Sequence, residues 1–302
     1  MPALAVTPPS PMPAPASAAK PGQAPWRWLL IAPALAFVVL AFLLPVLLLL
    51  LASFRVEGAG SGAGSWGLAH FTEFFASALN WQILWRTLRI AGLVTLLSAL
   101  ICYPPAQAIV RVSGRYRSLL MALTILPLMI APVPRTYAWI VLLGRNGFVN
   151  DVIVWLGLSA EPLRLLFTEG AVFIGLLQLF APLMLISQVS AMENMPRDVE
   201  AAARSLGATP LQAFWRVTLP LTQEGLVVGG TLVFTGCVTA YVTPALLGGP
   251  QVLMLETLLY QKVNVEGDLG AANVIAVILI VLTLAMSVLL KRLAHRRSPR
   301  RP

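Results

Sequence analysis

Charge is what this sequence has least of. Of its 302 residues only 11% are Asp, Glu, Lys or Arg, where a soluble domain carries roughly a quarter. The shortage is uneven, because long uncharged runs alternate with short charged patches. Histidine and cysteine are also scarce, at two each. Cys102 and Cys237 both fall inside apolar runs, and neither has a nearby Cys or His, so they read as small packing residues rather than metal or redox groups. His70 and His295 stand apart, one in a loop and one in a basic tail, which leaves no clustered set for a membrane enzyme. No GxxxxGK[ST] occurs, since none of the three lysines is followed by Ser or Thr; any ATP used must be bound by another chain. The apolar runs also lack the paired carboxylates and related halves of a gradient-driven transporter.

What is present is apolar, with 58% hydrophobic residues and a mean hydropathy of +0.82. Uncharged runs lie between Arg27 and Arg55, Arg89 and Arg111, Arg117 and Arg135, Glu169 and Glu193, Glu224 and Glu256, and Asp268 and Lys291. About 20 apolar residues cross the hydrocarbon core as a helix, and a helix satisfies its own backbone there. The runs predict an all-α integral membrane protein with six transmembrane helices at 28–53, 88–110, 118–142, 170–192, 224–247 and 270–290. Residues 1–27, rich in Pro and Ala, read as a disordered tail. Residues 28–290 form the membrane domain, with a loop at 193–223, and 291–302 form a basic tail. The first run is too long for a signal-peptide core, so it is expected to stay as a span. Sorting the Lys and Arg residues by side gives 14 with the tails, 111–117 and 193–223, against 7 on the other face. The positive-inside bias puts both termini and the 193–223 loop in the cytoplasm. The net charge of +9 favours anionic lipid, and no nucleic-acid motif accompanies it.

Several local patterns have plain readings. Gly62, Gly64 and Gly67 give a nominal GxGxxG, but a membrane span precedes it where a dinucleotide site needs a strand, so it reads as a linker. Pro127, Pro132 and Pro134 interrupt the third span. Arg135, next in sequence, is expected to snorkel to the outer interface beside Tyr137 and Trp139. Gln178, Ser187, Gln188, Thr235, Thr239, Tyr241 and Asn273 are among the few polar residues within spans, suited to helix-to-helix hydrogen bonds. Gly225 and Gly229 form one GxxxG, a close packing point.

The loop "EAAARSLGATPLQAFWRVTLP" (200–220) holds more than a connector needs. Val199, Ala202, Ala203 and Leu206 share one face of a short helix, with Asp198 placed to cap its start and Gly207 to close it in a left-handed conformation. Thr209, Pro210 and Gln212 predict a second N-terminus with a capping box, running through Phe214 and Trp215 to Pro220, where the chain turns back into the membrane. The pattern makes a rigid elbow; by itself it also suits an amphipathic helix lying on the bilayer.

This stretch resembles the EAA loop of permease subunits in binding-protein-dependent ABC importers, E-A-A-x3-G-x9-I-x-L-P. Ala202, Ala203, Gly207, Val217, Leu219 and Pro220 match. The Glu position holds Ala201, and Glu200 sits one residue early, a turn of about 100° around the helix. "RTYAWIVLLGRNGFVND", "EPLRLLFTEGAV", "FWRVTLPL" and "YVTPALLGGP" are similar to the spermidine/putrescine-type subfamily from residue 80 onward.

The resemblance implies the type I ABC importer permease (MetI-like) fold in the bacterial plasma (inner) membrane. Its implied partners are two ATPase subunits holding ATP and Mg, a second and different permease chain, and a periplasmic or extracytoplasmic solute-binding protein. The chain itself would be no enzyme and hold no cofactor or metal. Glu200, Ala202, Ala203, Gly207, Leu211, Phe214, Leu219 and Pro220 would form the ATPase-coupling loop, with the elbow at 198–212 in a groove of one ATPase. Arg135, Tyr137, Gln178, Thr239 and Tyr241 would line the substrate pathway. A polyamine is the implied substrate, but the acidic residue that often precedes the aromatic in polyamine-type subunits is Ala240 here. Iron(III), another organic cation or a carboxylate remain alternatives, as does a receptor that binds without transport.

Overall fold

The computed structural model describes residues 26–56, 65–196 and 198–295. Much of the expected tails, as residues 1–25 and 296–302, and the glycines Gly62 and Gly64 lie outside the described residues. The chain divides into two units at Leu48 and Leu49. In the first, α1 (Trp26–Val38) contains Pro33 and passes through a π turn (Val39–Leu43) into α2 (Leu44–Ser53), whose residues from Leu49 on belong to the second unit. Ala32–Ser53 is long and apolar enough to cross a membrane.

After the end of α2 the second unit continues with a two-residue antiparallel pair, β1 (Arg55–Val56) with β2 (Ser65–Trp66). A short α3 (Ala69–Ala76) leads into α4 (Ala78–Arg111). Next come α5 (Gly114–Met129), α6 (Pro132–Leu143), α7 (Phe148–Trp155) and α8 (Glu169–Glu193). The elbow region comprises α9 (Asp198–Ser205), α10 (Pro210–Ala213) and a π turn (Phe214–Thr218) that opens directly into α11 (Leu219–Val238). After it, α12 (Val242–Gly248) and α13 (Leu255–Gln261) form a bent pair, and α14 (Leu269–His295) ends the described chain.

Helices α4, α8 and α11 pack on one another at the centre, with α14 against α11. Close approach of α8 and α11 depends on Gly225 and Gly229. A Cβ on Gly225 would stand 2.5 Å from the Ala191 Cβ and 2.7 Å from the Ser187 carbonyl oxygen; on Gly229 it would stand 2.7 Å from the Met184 sulfur. The GxxxG is therefore a packing point, as its sequence suggests.

Two sets of contacts fix which helix ends lie together. Arg111 at the end of α4 reaches Glu200 on α9, and Arg117 on α5 pairs with Glu193 at the end of α8. These residues mark the elbow end. At the other end, Arg86 bonds the Glu169 carboxylate at 3.0 Å and the Leu253 carbonyl at 3.2 Å, and Arg89 also pairs with Glu169. The Leu255 amide donates to the Thr87 hydroxyl at 3.0 Å, so the α12–α13 hairpin stays at that end. In this unit α4, α8, α11 and α14 are each long and apolar enough to cross a membrane, and α5 with α6 and α7 forms a bent pair that meets the same criterion together. Counting Ala32–Ser53 and that bent pair as one span each, and the α12–α13 hairpin as none, matches the six spans expected.

Three of the expected spans are corrected. The third span is not one helix: α5 and α6 meet at 91°. Pro132 and Pro134 open α6, where a missing N–H is no loss. The uncharged run from Glu224 to Glu256 is not one span either. Glu224 lies well inside a helix that runs from Pro210 to Val238, and the remainder forms the hairpin, bent by 81°. The second span also begins earlier than expected, at Ala78, because Arg86 and Arg89 are accommodated inside α4 by Glu169.

Candidate functional site: the elbow and the helix break

The elbow is built by backbone hydrogen bonds that its sequence specifies. At Gly207 φ is +89°, a conformation that side-chain-bearing residues adopt at a cost. It lets the Gly207 amide reach the Arg204 carbonyl at 2.9 Å and the Ala208 amide reach the Ala203 carbonyl at 3.1 Å. This pair of bonds is a Schellman motif, which satisfies the last carbonyls of α9. Two residues later the next helix starts on a complete capping box. The Gln212 amide donates to the Thr209 hydroxyl at 3.3 Å, and the Thr209 amide donates to the Gln212 side-chain oxygen at 3.1 Å. With Pro210 at the first position, both sides of the turn are satisfied locally.

Asp198 is the first residue of α9 rather than its cap. At the other end of the elbow the chain does not turn at Pro220. The Leu219 amide bonds the Phe214 carbonyl across the π turn, and Pro220, lacking an N–H, follows without breaking the helix. The widened turn absorbs the missing donor. The second half of the elbow and the membrane span are therefore one continuous helix.

The predicted coupling residues separate into two faces. Ala202 and Leu211 are exposed, together with Ala201 and Trp215. Leu206, expected to share one helix face with Val199, Ala202 and Ala203, is 89% exposed. It lies past the last residue of α9, where helical phasing no longer aims it inward. Ala203, Phe214, Leu219 and Pro220 are half-buried. Phe214 meets Tyr103 edge-on at 5.3 Å, and Trp215 meets Phe214 edge-on at 5.3 Å. Phe214 and Leu219 pack on a small core of Tyr103, Ala106, Ile109, Val189 and Met192. Glu200 faces its own chain: its carboxylate lies 3.1 Å from Arg111 and 2.7 Å from Arg204.

The predicted pathway residues do not form one cluster. Arg135 is 9% exposed and donates to the Pro127 carbonyl at 3.1 Å. It closes over the proline-broken joint instead of snorkelling outward, because that joint frees carbonyl acceptors beside it. Tyr137 is exposed. Gln178 accepts from the Trp139 indole at 3.4 Å, which links α8 to α6. Thr239 donates to the Thr235 carbonyl at 2.9 Å, at the break that ends α11. Immediately after it, Tyr241 stacks on Tyr260 of α13 with centroids 4.3 Å apart.

Tyr260 and Trp139 were not among the predicted site residues. Tyr260 sits at the end of the short apolar stretch "LETLLY", and only the fold of the hairpin places it against Tyr241. A cavity of about 250 Å³ lies at the end opposite the elbow, lined by residues including His70, Glu73, Lys262, Glu266 and Asp268. Lys262 pairs with Glu266 at 2.6 Å, and Asp268 accepts from the Ala271 amide at the start of α14. Among the described residues, no three His, Cys, Asp or Glu side chains form a metal-ligating group.

Residues 106–299 match the family described as binding-protein-dependent transport system inner membrane component. The spermidine/putrescine transport system permease protein PotB of Haemophilus influenzae is 32% identical over 253 residues, covering 83% of this chain and 88% of that protein. PotB of Escherichia coli K12 is 30% identical over 264 residues, covering 86% and 94%. Among solved structures, a bacterial alginate ABC transporter chain superimposes with a TM-score of 0.73 at 19% identity, covering 90% of this chain and 94% of that one. A chain of the MetNI methionine ABC transporter gives 0.53 at 20% identity, covering 74% and 100%. At those identities the structural likeness speaks for the fold.

Proposed function

Because the chain belongs to the family of binding-protein-dependent inner membrane components, the permeases of ABC importers, we propose that it forms half of a polyamine channel that separate ATPase subunits drive. The observation that carries this reading is the elbow. Two short helices are locked at a fixed angle by a Schellman turn and a capping box. They expose Ala202, Leu206 and Leu211 and are welded without a loop to the span α11. An exposed apolar surface on a rigid support suits a protein partner.

In this mechanism two ATPase subunits, carrying ATP and Mg, sit against the elbows of two different permease chains. Closure of the ATPase pair displaces α9 and α10, and the rigid turn passes that displacement into α11. The helix bundle rocks between inward-open and outward-open arrangements, as packed elements with two stable placements do. A solute-binding protein delivers substrate at the end opposite the elbow. The Lys and Arg distribution supports cytoplasmic placement of the elbow and of both termini.

The polyamine assignment rests on the relatives named above. The stacked Tyr241 and Tyr260 at the helix break are suited to it, since aromatic faces attract ammonium groups. The test is ATP hydrolysis by this chain purified with its co-purifying subunits, with and without a binding protein loaded with spermidine. Stimulation by spermidine supports both machine and substrate. Hydrolysis that ignores polyamines keeps the machine and removes the substrate, and the absence of any ATPase removes the reading.

A further inference from the structure

Helix α4 is interrupted by two consecutive prolines, Pro104 and Pro105, directly after Tyr103. Neither donates a backbone hydrogen bond, so the carbonyls of Leu100 and Ile101 lose their helical donors and the helix is weakened at that level. The arm beyond those two carbonyls, from Cys102 to Arg111, is held to the elbow and the start of α11 at three depths. Near the surface Arg111 pairs with Glu200 of α9 at 3.1 Å. Below it the Tyr103 ring stands edge-on to Phe214 of the π turn. Deepest, the Tyr103 hydroxyl lies 2.8 Å from the Thr222 hydroxyl, whose own proton goes to the Thr218 carbonyl. Tyr103 is then the donor of that bond.

On the other side of the prolines α4 is held by α8. The Gln188 side-chain amide donates to the Ala99 carbonyl at 3.0 Å. Gln188 is 1% exposed, and its side-chain oxygen has no partner among the described residues. A buried unpaired acceptor is costly, and this one lies close to the level where α4 is weakest. It marks a joint whose present setting leaves one bond unmade.

We infer that the arm of α4 beyond the unbonded Leu100 and Ile101 carbonyls is a second output of the elbow, with Arg111, Tyr103 and Glu200 as its positioning residues. Resting on the reading of an ATPase-driven elbow, this gives displacement two routes, directly along α11 and sideways into α4 through the Glu200 tether. Glu200, one residue out of the usual register, serves the permease itself. The ATPase is met by the apolar face of Ala202, Leu206 and Leu211.

The test is a double-mutant cycle in the reconstituted full complex with loaded binding protein, reading spermidine taken up per ATP hydrolysed and the ATPase retained on purification. Arg111→Ala and Glu200→Ala should each lower uptake per ATP by about threefold to fivefold, the upper range for a partly exposed ion pair. The double variant should be no worse than either, and ATPase retention should be unchanged. A second measurement links Arg111→Cys to Glu200→Cys with a short bismaleimide. A permanent tether leaves uptake intact when locked. Additive losses, loss of the ATPase in Glu200→Ala, or uptake abolished by the link would each overturn the tether. A wild-type complex without an ATPase removes the functional reading and the second output with it; a coupled wild type with additive losses removes only the latter.

Discussion

Replacing Gly207 by valine tests the elbow at one backbone position. With φ at +89°, any L side chain there is strained, by about 1–2 kcal/mol in the left-handed region and more for a β-branched residue. No atom lies within 4 Å of the position a Cβ would take, so the substitution clashes with nothing and its cost falls on the turn. The two Schellman bonds at 2.9 and 3.1 Å are what the strain opposes. About 2 kcal/mol lowers the ratio of closed to open elbow roughly thirtyfold. Alanine, at about 1 kcal/mol, lowers it roughly fivefold. Asparagine, which visits this region more readily, should come nearest to glycine. Uptake and ATPase retention should therefore rank glycine, asparagine, alanine, valine, with equal amounts of protein in the membrane. Wild-type transport by the valine variant, or equal loss in the asparagine and valine variants, would refute the reasoning.

Leu206→Asp and Leu211→Asp place charges on the exposed elbow face and should strip the ATPase on purification without lowering the yield of permease. Thr209→Ala removes the cap that the Gln212 amide uses, at a cost of about 1 kcal/mol, and should reduce uptake less than Gly207→Val in the same assay. Gly225→Leu drives a side chain into Ser187 and Ala191 of α8; its effect should appear as a lower Tm in detergent, which Gly207→Val should leave near wild type. Tyr241→Ala and Tyr260→Ala should each raise the spermidine concentration that half-saturates uptake, with ATPase retention unchanged.

The parts of this fold most legible in sequence are those specified by local chemistry. Gly207, Thr209, Pro210 and Gln212 dictate their turn through their own backbone bonds, and the structure follows them. Gly225 and Gly229 likewise foretell where α8 and α11 touch. Span boundaries are less legible, because charged residues do not mark them here. Glu224 lies inside a helix, and Arg86 and Arg89 lie inside α4 because Glu169, 80 or more residues away in sequence, neutralises them. No local pattern announces that pairing. The break at 239–241 was hidden for a similar reason: a re-entrant hairpin is as apolar as a span, and hydropathy does not distinguish them. Helical phasing puts Leu206 on one face with Val199, Ala202 and Ala203, but α9 ends at Ser205, before that phasing applies. Tyr260 and the tether from Glu200 to Arg111 depend on which segments fold together, information no short window contains.

The π turn at Phe214–Thr218 has a rotational consequence. It inserts one residue beyond regular α geometry, so every side chain of α11 is turned by about 100° relative to α10 compared with an unbroken helix. The angular setting between the exposed surface of the elbow and the faces that α11 presents to α8 and α14 is thereby fixed by five residues. Deleting one of them would restore a regular helix, keep the elbow and the span each intact, and point the span's packing glycines away from α8. The bulge is thus an angular key between two well-formed parts, each of which would fold correctly and still face the wrong way without it.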